Sequence, residues 1–274
     1  SAWNDYDNDG FMDIVIGASS TSDGSHKVMK NNGDGTFSNV TIGSGWENNS
    51  TLSTEHVSYD FDNDGFADVL GGGGKIMFNN GNFTFSPVTY AFTSGSIGDL
   101  NNDGFLDIRN GNTIYYNNGN SNNWIKINLQ GIQSNRNGIG ARVEIYGAWG
   151  KQIRDIRSGE GFRFMNTLNA HFGIGTATSI DEIHILWPSG IVDVIENPNI
   201  NQALLIIEGS SPLSIADING AKVTIYPNPT ANFINISNIE LVNLKSITVF
   251  NHLGQVLIKR NSKEMWQEGC LRRL

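Results

Sequence analysis

The stretch DYDNDGFMDI, at residues 5–14, returns as DFDNDGFADV at residues 60–69 and as DLNNDGFLDI at residues 99–108. Each copy leads through a short apolar or Gly-rich segment to an Asn-Asn-Gly turn. Apolar segments between turn signals are typical of strands, so each repeat predicts a loop followed by a β-hairpin. The repeats start 55 residues apart (60 minus 5) and then 39 residues apart (99 minus 60), a spacing that fits propeller blades.

Composition also favours strands. The chain has 274 residues, of which 32 are glycine and 38% are hydrophobic, so packed cores joined by tight turns predict an all-β protein. Its formal charge of −9, from 27 acidic and 18 basic residues, argues against a nucleic-acid partner because phosphate binding needs clustered Lys and Arg. The chain lacks an apolar run of about 18 residues, so no membrane span is predicted.

The acidic residues are concentrated in the repeats, which hold 11 of the 27. In the pattern D-x-D-x-D-G-x-x-D, carboxylates recur at every second position of a turn, and the glycine permits the sharp bend that follows. Because calcium takes six to eight oxygen ligands, this pattern predicts up to three calcium ions, one per loop. The predicted ligands, with the phenylalanines acting through their carbonyls, are Asp5, Asp7, Asp9, Phe11, Asp13, Asp60, Asp62, Asp64, Phe66, Asp68, Asp99, Asn101, Asp103, Phe105 and Asp107.

The third loop is predicted to be the weakest site, because Asn101 contributes an amide oxygen without charge. An EF-hand is excluded, since loop position 12 holds Ile16, Gly71 or Asn110 in place of its glutamate. Magnesium fits less well because it demands a stricter octahedron. The alternative without metal is a set of Asx-rich turns that cap strands.

Patterning divides the chain into three domains and a linker. Residues 1–122 hold the repeats, and residues 123–208 follow with strands that alternate polar and apolar positions. Residues 209–218 are small, polar and Pro-containing, which suits a linker. Residues 219–274 form a small strand-rich unit.

With these loops, residues 1–122 resemble the FG-GAP/VCBS repeats of integrin-like β-propellers, in which each blade carries a structural calcium loop. The resemblance implies a partial β-propeller. A closed propeller has four to eight blades, so three loops predict either the C-terminal part of a longer protein or further, degenerate blades.

The second domain resembles the ASPIC/UnbV module of the cartilage acidic protein family, which implies a β-sandwich-like extracellular recognition module. Five stretches carry the resemblance: Asn123-Trp124, SNRNGIGARV at residues 134–143, RSG at residues 157–159, HFGIG at residues 171–175 and WPSG at residues 187–190.

The third unit resembles the C-terminal sorting domain of the type IX secretion system of Bacteroidetes, through IYPNPT at residues 225–230, FINI at residues 233–236 and VFNHLG at residues 249–254. The resemblance implies a small Ig-like β-sandwich, the type IX secretion machinery as a partner, and a secreted or outer-membrane surface location. Residues 261–274 depart from the usual ending of that family, which is an apolar strand and a basic end.

No enzyme motif stands out. The five histidines lack zinc-site spacing, and a Gly-x-Ser-x-Gly elbow is absent. We therefore predict a non-catalytic protein for adhesion or ligand binding, with an unknown surface ligand that is a glycan or a protein. The alternatives are an accessory part of an extracellular polysaccharide-degrading enzyme, whose carboxylates are then catalytic, and a structural spacer.

Two further features have open interpretations. A basic set in the second domain either contacts an anionic glycan or forms ion pairs on strands. It comprises Arg142, Lys151, Arg154, Arg157 and Arg163. Trp46, in a Gly/Asn-rich insertion over residues 43–54, either packs in the core or exposes its ring to a sugar or partner.

Overall fold

Strands account for nearly all the regular structure of the chain. The computed structural model describes residues 1–17, 26–49, 55–71, 73–160 and 165–210, with the backbone of four short strands between residues 224 and 261. Across these residues the one helical segment is a 3-10 turn, Trp46–Asn48, and no helix is long and apolar enough to cross a membrane. The predicted all-β class is confirmed.

Three antiparallel blades follow one another over the first 115 residues. Blades 1 and 2 have four strands each and blade 3 has three. Blade 1 comprises β1 (Ala2–Asn4), β2 (Asp13–Ile16), β3 (Lys27–Asn31) and β4 (Phe37–Asn39). Blade 2 comprises β5 (Val57–Tyr59), β6 (Asp68–Gly71), β7 (Lys75–Asn79) and β8 (Phe85–Thr89). Blade 3 comprises β9 (Ser96–Gly98), β10 (Asp107–Asn110) and β11 (Thr113–Tyr115).

The blades pack face to face through two apolar clusters. Successive residues of a strand point to opposite faces of its sheet, so β6 sends Val69 to one neighbour and Leu70 to the other. Val69 joins a cluster shared with blade 1, which includes Val15 and Val28, and Leu70 joins a cluster shared with blade 3. Blade 2 is therefore covered on both faces, which explains why all four residues of β6 are buried.

The second domain is a sandwich of two sheets. One sheet has the order β15-β12-β18 and the other has the order β14-β13-β16-β17. Their strands are β12 (Asn123–Gln130), β13 (Arg142–Gly147), β14 (Gly150–Asp155), β15 (Ala170–Gly175), β16 (Glu182–Leu186), β17 (Val192–Glu196) and β18 (Ala203–Ile207). Alternate residues from both sheets, such as Ile127 and Phe172 from one and Val143 and Ile185 from the other, form a single core.

The chain divides into two compact units, Ser1–Ser211 and Pro212–Leu274. In the second unit, β19 (Thr224–Tyr226) pairs with β20 (Asn235–Ser237), and β21 (Ser246–Phe250) pairs with β22 (Val256–Asn261). The predicted linker beyond residue 210, the basic residue Arg163 and the atypical end after residue 261 lie outside the described residues.

Trp46 is fully buried, so its interpretation as an exposed platform for a sugar is wrong. Its ring lies 5.2 Å from that of His26, 5.8 Å from that of His56 and 6.0 Å from that of Phe85. The 3-10 turn thus inserts a large aromatic side chain between blades 1 and 2. The sequence left both interpretations open, and packing between two sheets decided the position of the ring.

Blade 3 meets the second domain through a contact that only glycine permits. Gly104 has a φ of +86°, and a Cβ built on it would lie 1.8 Å from Cε2 of Trp124 at the start of β12. The indole therefore lies directly against the backbone of the third loop. This contact places β12 beside the blade 3 loop.

We expect the substitution Gly104→Ala to lower the free energy of unfolding by about 2 kcal/mol more than Gly111→Ala, because only the first methyl group overlaps another side chain. Gly111 is a matched control, since it has a φ of +58° in the same blade and nothing lies within 4 Å of its Cβ position. Urea denaturation of both variants measures the difference. Equal losses would contradict the close contact with Trp124.

Candidate metal centres at the blade loops

In each Asp-rich loop, a backbone amide of the loop donates a hydrogen bond to the first aspartate. The asparagine at the fourth position adopts a left-handed conformation in all three loops, with φ of +58° at Asn8 and Asn63 and +61° at Asn102. Asparagine tolerates this conformation better than most residues. The turn brings the amides of Asp9 and Gly10 onto the two oxygens of Asp5, at 3.0 and 2.8 Å.

The last aspartate of each loop, the closing aspartate, binds two parts of its blade that are far apart in the sequence. Asp13 accepts the N–H of Tyr6 at 2.9 Å on one oxygen and the N–H of Asn31 at 2.8 Å on the other. Asp68 does the same for Phe61 and Asn79, each at 2.8 Å. In blade 3, Asp107 accepts from Leu100 and Asn117, each at 2.9 Å. The carboxylate therefore links the loop to the Asn-Asn-Gly turn at the end of the third strand.

Two of the loops bring three carboxylates together. In the first loop, one oxygen each from Asp5, Asp7 and Asp13 lies within 4.8 Å of the others. In the second loop, one oxygen each from Asp60, Asp62 and Asp68 also lies within 4.8 Å of the others. Among the described residues, no third group of this kind occurs. Asp5, Asp13, Asp60 and Asp68 are buried, so little water screens the repulsion between charged carboxylates in either group.

The other predicted ligands are not gathered in this way. The aspartate at the fifth position of each loop accepts a hydrogen bond from the backbone N–H two residues later. Asp9 accepts from Phe11 at 2.9 Å, and Asp64 accepts from Phe66 at 2.8 Å. In the third loop, Asp103 accepts the N–H of Phe105 at 2.9 Å. The phenylalanine carbonyls remain predicted ligands.

Burial is the main reason that the carboxylates resist ionisation. It raises the pKa of Asp13 to about 7 and that of Asp60 to about 8, and the neighbouring loop carboxylates raise both further. The pKa of Asp68 is raised well above its ordinary value for the same reasons. Such groups are stabilised in their charged form by a nearby cation.

One cation is supplied by the second domain. Arg154, on β14, is partly buried, and burial lowers its pKa while Asp60 and Asp5 raise it. Its guanidinium lies 5.1 Å from the ring centre of Phe172. One arginine therefore partly offsets the charge of two loops.

Strand β15 of the second domain covers the second loop. A Cβ built on Gly173 would lie 2.3 Å from an oxygen of Asp60, so the backbone of β15 lies directly on this carboxylate. The N–H of Gly175 donates to the carbonyl of Asn63 at 2.8 Å. His171 Nε2 lies 2.8 Å from Oδ1 of Asn63, and the histidine is the donor because the amide nitrogen of Asn63 donates elsewhere.

Asparagine side chains form hydrogen bonds between the loops and turns of neighbouring blades. Asn8 donates to the carbonyl of Gly65 at 3.1 Å, and Asn63 donates to the carbonyl of Gly104 at 3.0 Å. In the opposite direction, Asn79 donates to the carbonyl of Tyr6 and Asn117 to that of Phe61, each at 2.8 Å. The loops and turns therefore form one hydrogen-bonded layer across the three blades.

Lysine ammonium groups approach two of the loops, which sequence reasoning missed. Lys30, just before the Asn-Asn-Gly turn of blade 1, binds Asp7 and, at 2.7 Å, Asp9. Lys126, on β12, lies 2.7 Å from Asp99. The contact of Lys30 with the loop could have been predicted from its position directly before the turn. Nothing in the sequence connects Lys126 with a loop residue 27 positions earlier.

The basic set of the second domain forms ion pairs. Arg142 binds Asp155 at 2.7 Å, Arg157 binds Glu160 at 3.1 Å and Lys151 lies 3.9 Å from Glu144. These contacts support the interpretation as ion pairs within the domain. They leave no cluster of unpaired cations among the described members of the set that would favour an anionic glycan.

Three family models match the chain. Residues 5–71 match the FG-GAP-like repeat, residues 131–213 match ASPIC and UnbV, and residues 224–269 match the secretion system C-terminal sorting domain. These are the three resemblances expected from the sequence. The sorting-domain match indicates type IX secretion, so the protein is secreted or displayed at the cell surface. No curated protein matches the chain.

We expect Asn63→Ala to lower the free energy of unfolding by about 2 kcal/mol more than Asn8→Ala, because it leaves buried partners at Gly104 and His171 without hydrogen bonds. Both residues have a φ of +58°, so the backbone strain of alanine is equal at the two positions. Asn8 makes one partly buried side-chain bond. Equal unfolding midpoints in urea would show that the contact between blade 2 and the second domain contributes little.

Proposed function

We propose that this secreted protein is a calcium-stabilised binding protein without catalytic activity of its own. The observation that carries the proposal is the pair of buried carboxylate triads, each with its ligand atoms within 4.8 Å of one another. Burial raises the pKa values of Asp13 and Asp60, and repulsion from the neighbouring loop carboxylates raises them further. A hard divalent cation with oxygen ligands is the natural partner of such a group.

The residues that would hold calcium are Asp5, Asp7 and Asp13 in the first loop and Asp60, Asp62 and Asp68 in the second. The positive charge of the ion would neutralise these carboxylates. Asp13 and Asp68 already bind backbone amides of the loop and of the third strand. Its role would therefore be structural. The closing carboxylates of both loops are engaged by backbone amides, which argues against their use as general acids or bases.

A cleft between blades 2 and 3 is the surface best suited to a ligand. It has a volume of about 340 Å³ and is lined by aromatic side chains, including Phe78, Tyr90, Tyr115 and Tyr116. The rings of Tyr90 and Phe92 are stacked with centres 5.2 Å apart, and Tyr90 and Tyr116 are 39% and 58% exposed. Exposed tyrosine rings are amphipathic, and so is a sugar, which has an apolar C–H face and polar hydroxyl groups.

Blade 3 leaves this cleft open. In blades 1 and 2, a fourth strand follows the Asn-Asn-Gly turn and pairs with the third strand. In blade 3 the chain runs from that turn into β12 of the second domain, and among the described residues no strand pairs with the outer edge of β11. We propose that a glycan binds in this space, with Asn118 at its rim.

Calcium should raise the thermal stability of the chain, by about 4 kcal/mol per site if millimolar calcium meets micromolar affinity. Melting curves in calcium, in magnesium and in excess chelator measure the effect. The substitutions Asp7→Asn and Asp62→Asn should each remove part of the calcium-dependent increase. Asp34→Asn, in an exposed turn whose hydrogen bonds to Thr36 an amide oxygen can retain, should keep all of it.

If calcium leaves the melting temperature unchanged, the metal assignment is wrong and the loop carboxylates become candidates for catalysis. An increase that magnesium reproduces equally would contradict calcium selectivity. A protein with the full calcium response and no ligand would be a structural spacer.

Titration with soluble oligosaccharides of glucose, galactose and mannose tests the cleft. Tyr90→Ala and Tyr116→Ala should each weaken binding by about tenfold, since each removes a stacking surface. Ile114→Ala is the matched control, because this side chain of β11 is also exposed but does not line the cleft. Binding that survives both tyrosine substitutions would place the ligand elsewhere.

A further inference from the structure

The third Asp-rich loop is built differently from the other two. Its second ligand position holds Asn101, whose amide nitrogen donates to Asp103 at 2.7 Å and whose oxygen accepts the N–H of Asp103 at 3.2 Å. Two of the four predicted side-chain ligands are therefore bound to each other. Across the described residues, the third loop is also the one that does not gather three carboxylates.

A lysine of the second domain binds Asp99, one of the two buried carboxylates of this loop. Lys126 Nζ donates to Oδ2 of Asp99 at 2.7 Å and to Oδ1 of Asn102 at 3.2 Å. The side chains of Lys126 and Asp99 are 7% and 1% exposed. An ammonium held in this way cannot move into solvent without opening the contact between the blade and β12.

The other loops provide the contrast. Lys30 also contacts two aspartates, but its side chain is 29% exposed and extends from a strand of the same blade, so it can swing away when an ion enters. In the second loop the equivalent position before the Asn-Asn-Gly turn is Phe78, which has no charge. The third loop thus has a carboxylate in a direct ion pair with a buried ammonium of another domain, whereas Arg154 acts on Asp5 and Asp60 through electrostatic attraction.

The position of Lys126 follows from the end of the blade array. Asn8 and Asn63 each donate to a glycine carbonyl of the next blade's loop. No further blade follows Asn102 in the described chain, and its side-chain oxygen accepts from Lys126. Strand β12, with Trp124 packed on Gly104 and Lys126 on Asp99, takes the place of the next loop.

We propose that the ammonium of Lys126 replaces the divalent ion in the third loop. The chain then binds two calcium ions, in the first and second loops, and β12 is joined to blade 3 by an ion pair that does not depend on metal. The number of ions rests on the proposed function, since it requires that the first two loops bind calcium. The ion pair itself does not.

The test is the number of calcium ions bound by the full chain, measured by calorimetric titration with calcium alone. We expect two ions for the wild type and three for Lys126→Met, because Asp99 is then free and its Oδ1 already lacks a hydrogen-bond partner. Lys30→Met is the matched control. It should raise the affinity of the first loop while the number stays at two.

Three ions in the wild type, or no gain in a folded Lys126→Met variant, would overturn the proposal. If Lys126→Met does not fold, the double substitution Asp99→Asn with Lys126→Met removes both charges, and we expect it to fold and to bind two ions. A double variant that bound three would show that the third loop does not need Asp99, which also overturns the proposal.

A second measurement separates this proposal from the proposed function. In excess chelator, Lys126→Met should lower the unfolding midpoint more than Lys30→Met, because it leaves the buried Asp99 without a counter-ion. If the wild type binds no calcium but the two variants still differ in this way, the calcium assignment is wrong and the ion pair is supported. Equal midpoints for the two variants in chelator would overturn the ion pair itself.

Discussion

The structure of the first 120 residues depends on one interaction, the carboxylate that accepts two backbone N–H groups from the chain segments on either side of the second strand. Asp13, Asp68 and Asp107 occupy this position, and each is the first residue of the second strand of its blade. The oxygens fix the start of the loop relative to the end of the third strand. Hydrogen bonds to an ionised acceptor are stronger than those between neutral groups, so the blade gains most when this carboxylate is charged.

Keeping these groups charged is difficult because the second domain lies over the loops. The backbone of Gly173 covers Asp60, and Trp124 covers Gly104, so water is excluded where negative charge is densest. Cations must then come from elsewhere. Arg154 and Lys126 are supplied by the second domain, and the two carboxylate triads are where the proposed calcium ions would bind. Stability of the blades and docking of the second domain are therefore physically coupled, and binding of the proposed ions would be coupled to both.

The surface available for recognition adjoins the second Asp-rich loop. The aromatic cleft opens between blades 2 and 3, where Tyr90 and Tyr116 are exposed, and Asp62 of the second loop also lines it. A rigid scaffold that presents an open aromatic surface suits a secreted binding protein. Charge neutralisation at the second loop would hold one edge of that surface in place.

The sequence by itself determined the repeat, the loop followed by a hairpin in each blade, the all-β class and the residues of the loops, because these follow from local patterns: alternation along strands, turn residues and closely spaced carboxylates. It also indicated that the third loop differs, through Asn101. Only the tertiary structure decided which carboxylates come together, that Trp46 is buried between two sheets, and that Lys126 lies on Asp99. These features depend on contacts between segments far apart in the chain, and a local pattern carries no information on which distant backbone or charge will lie against it.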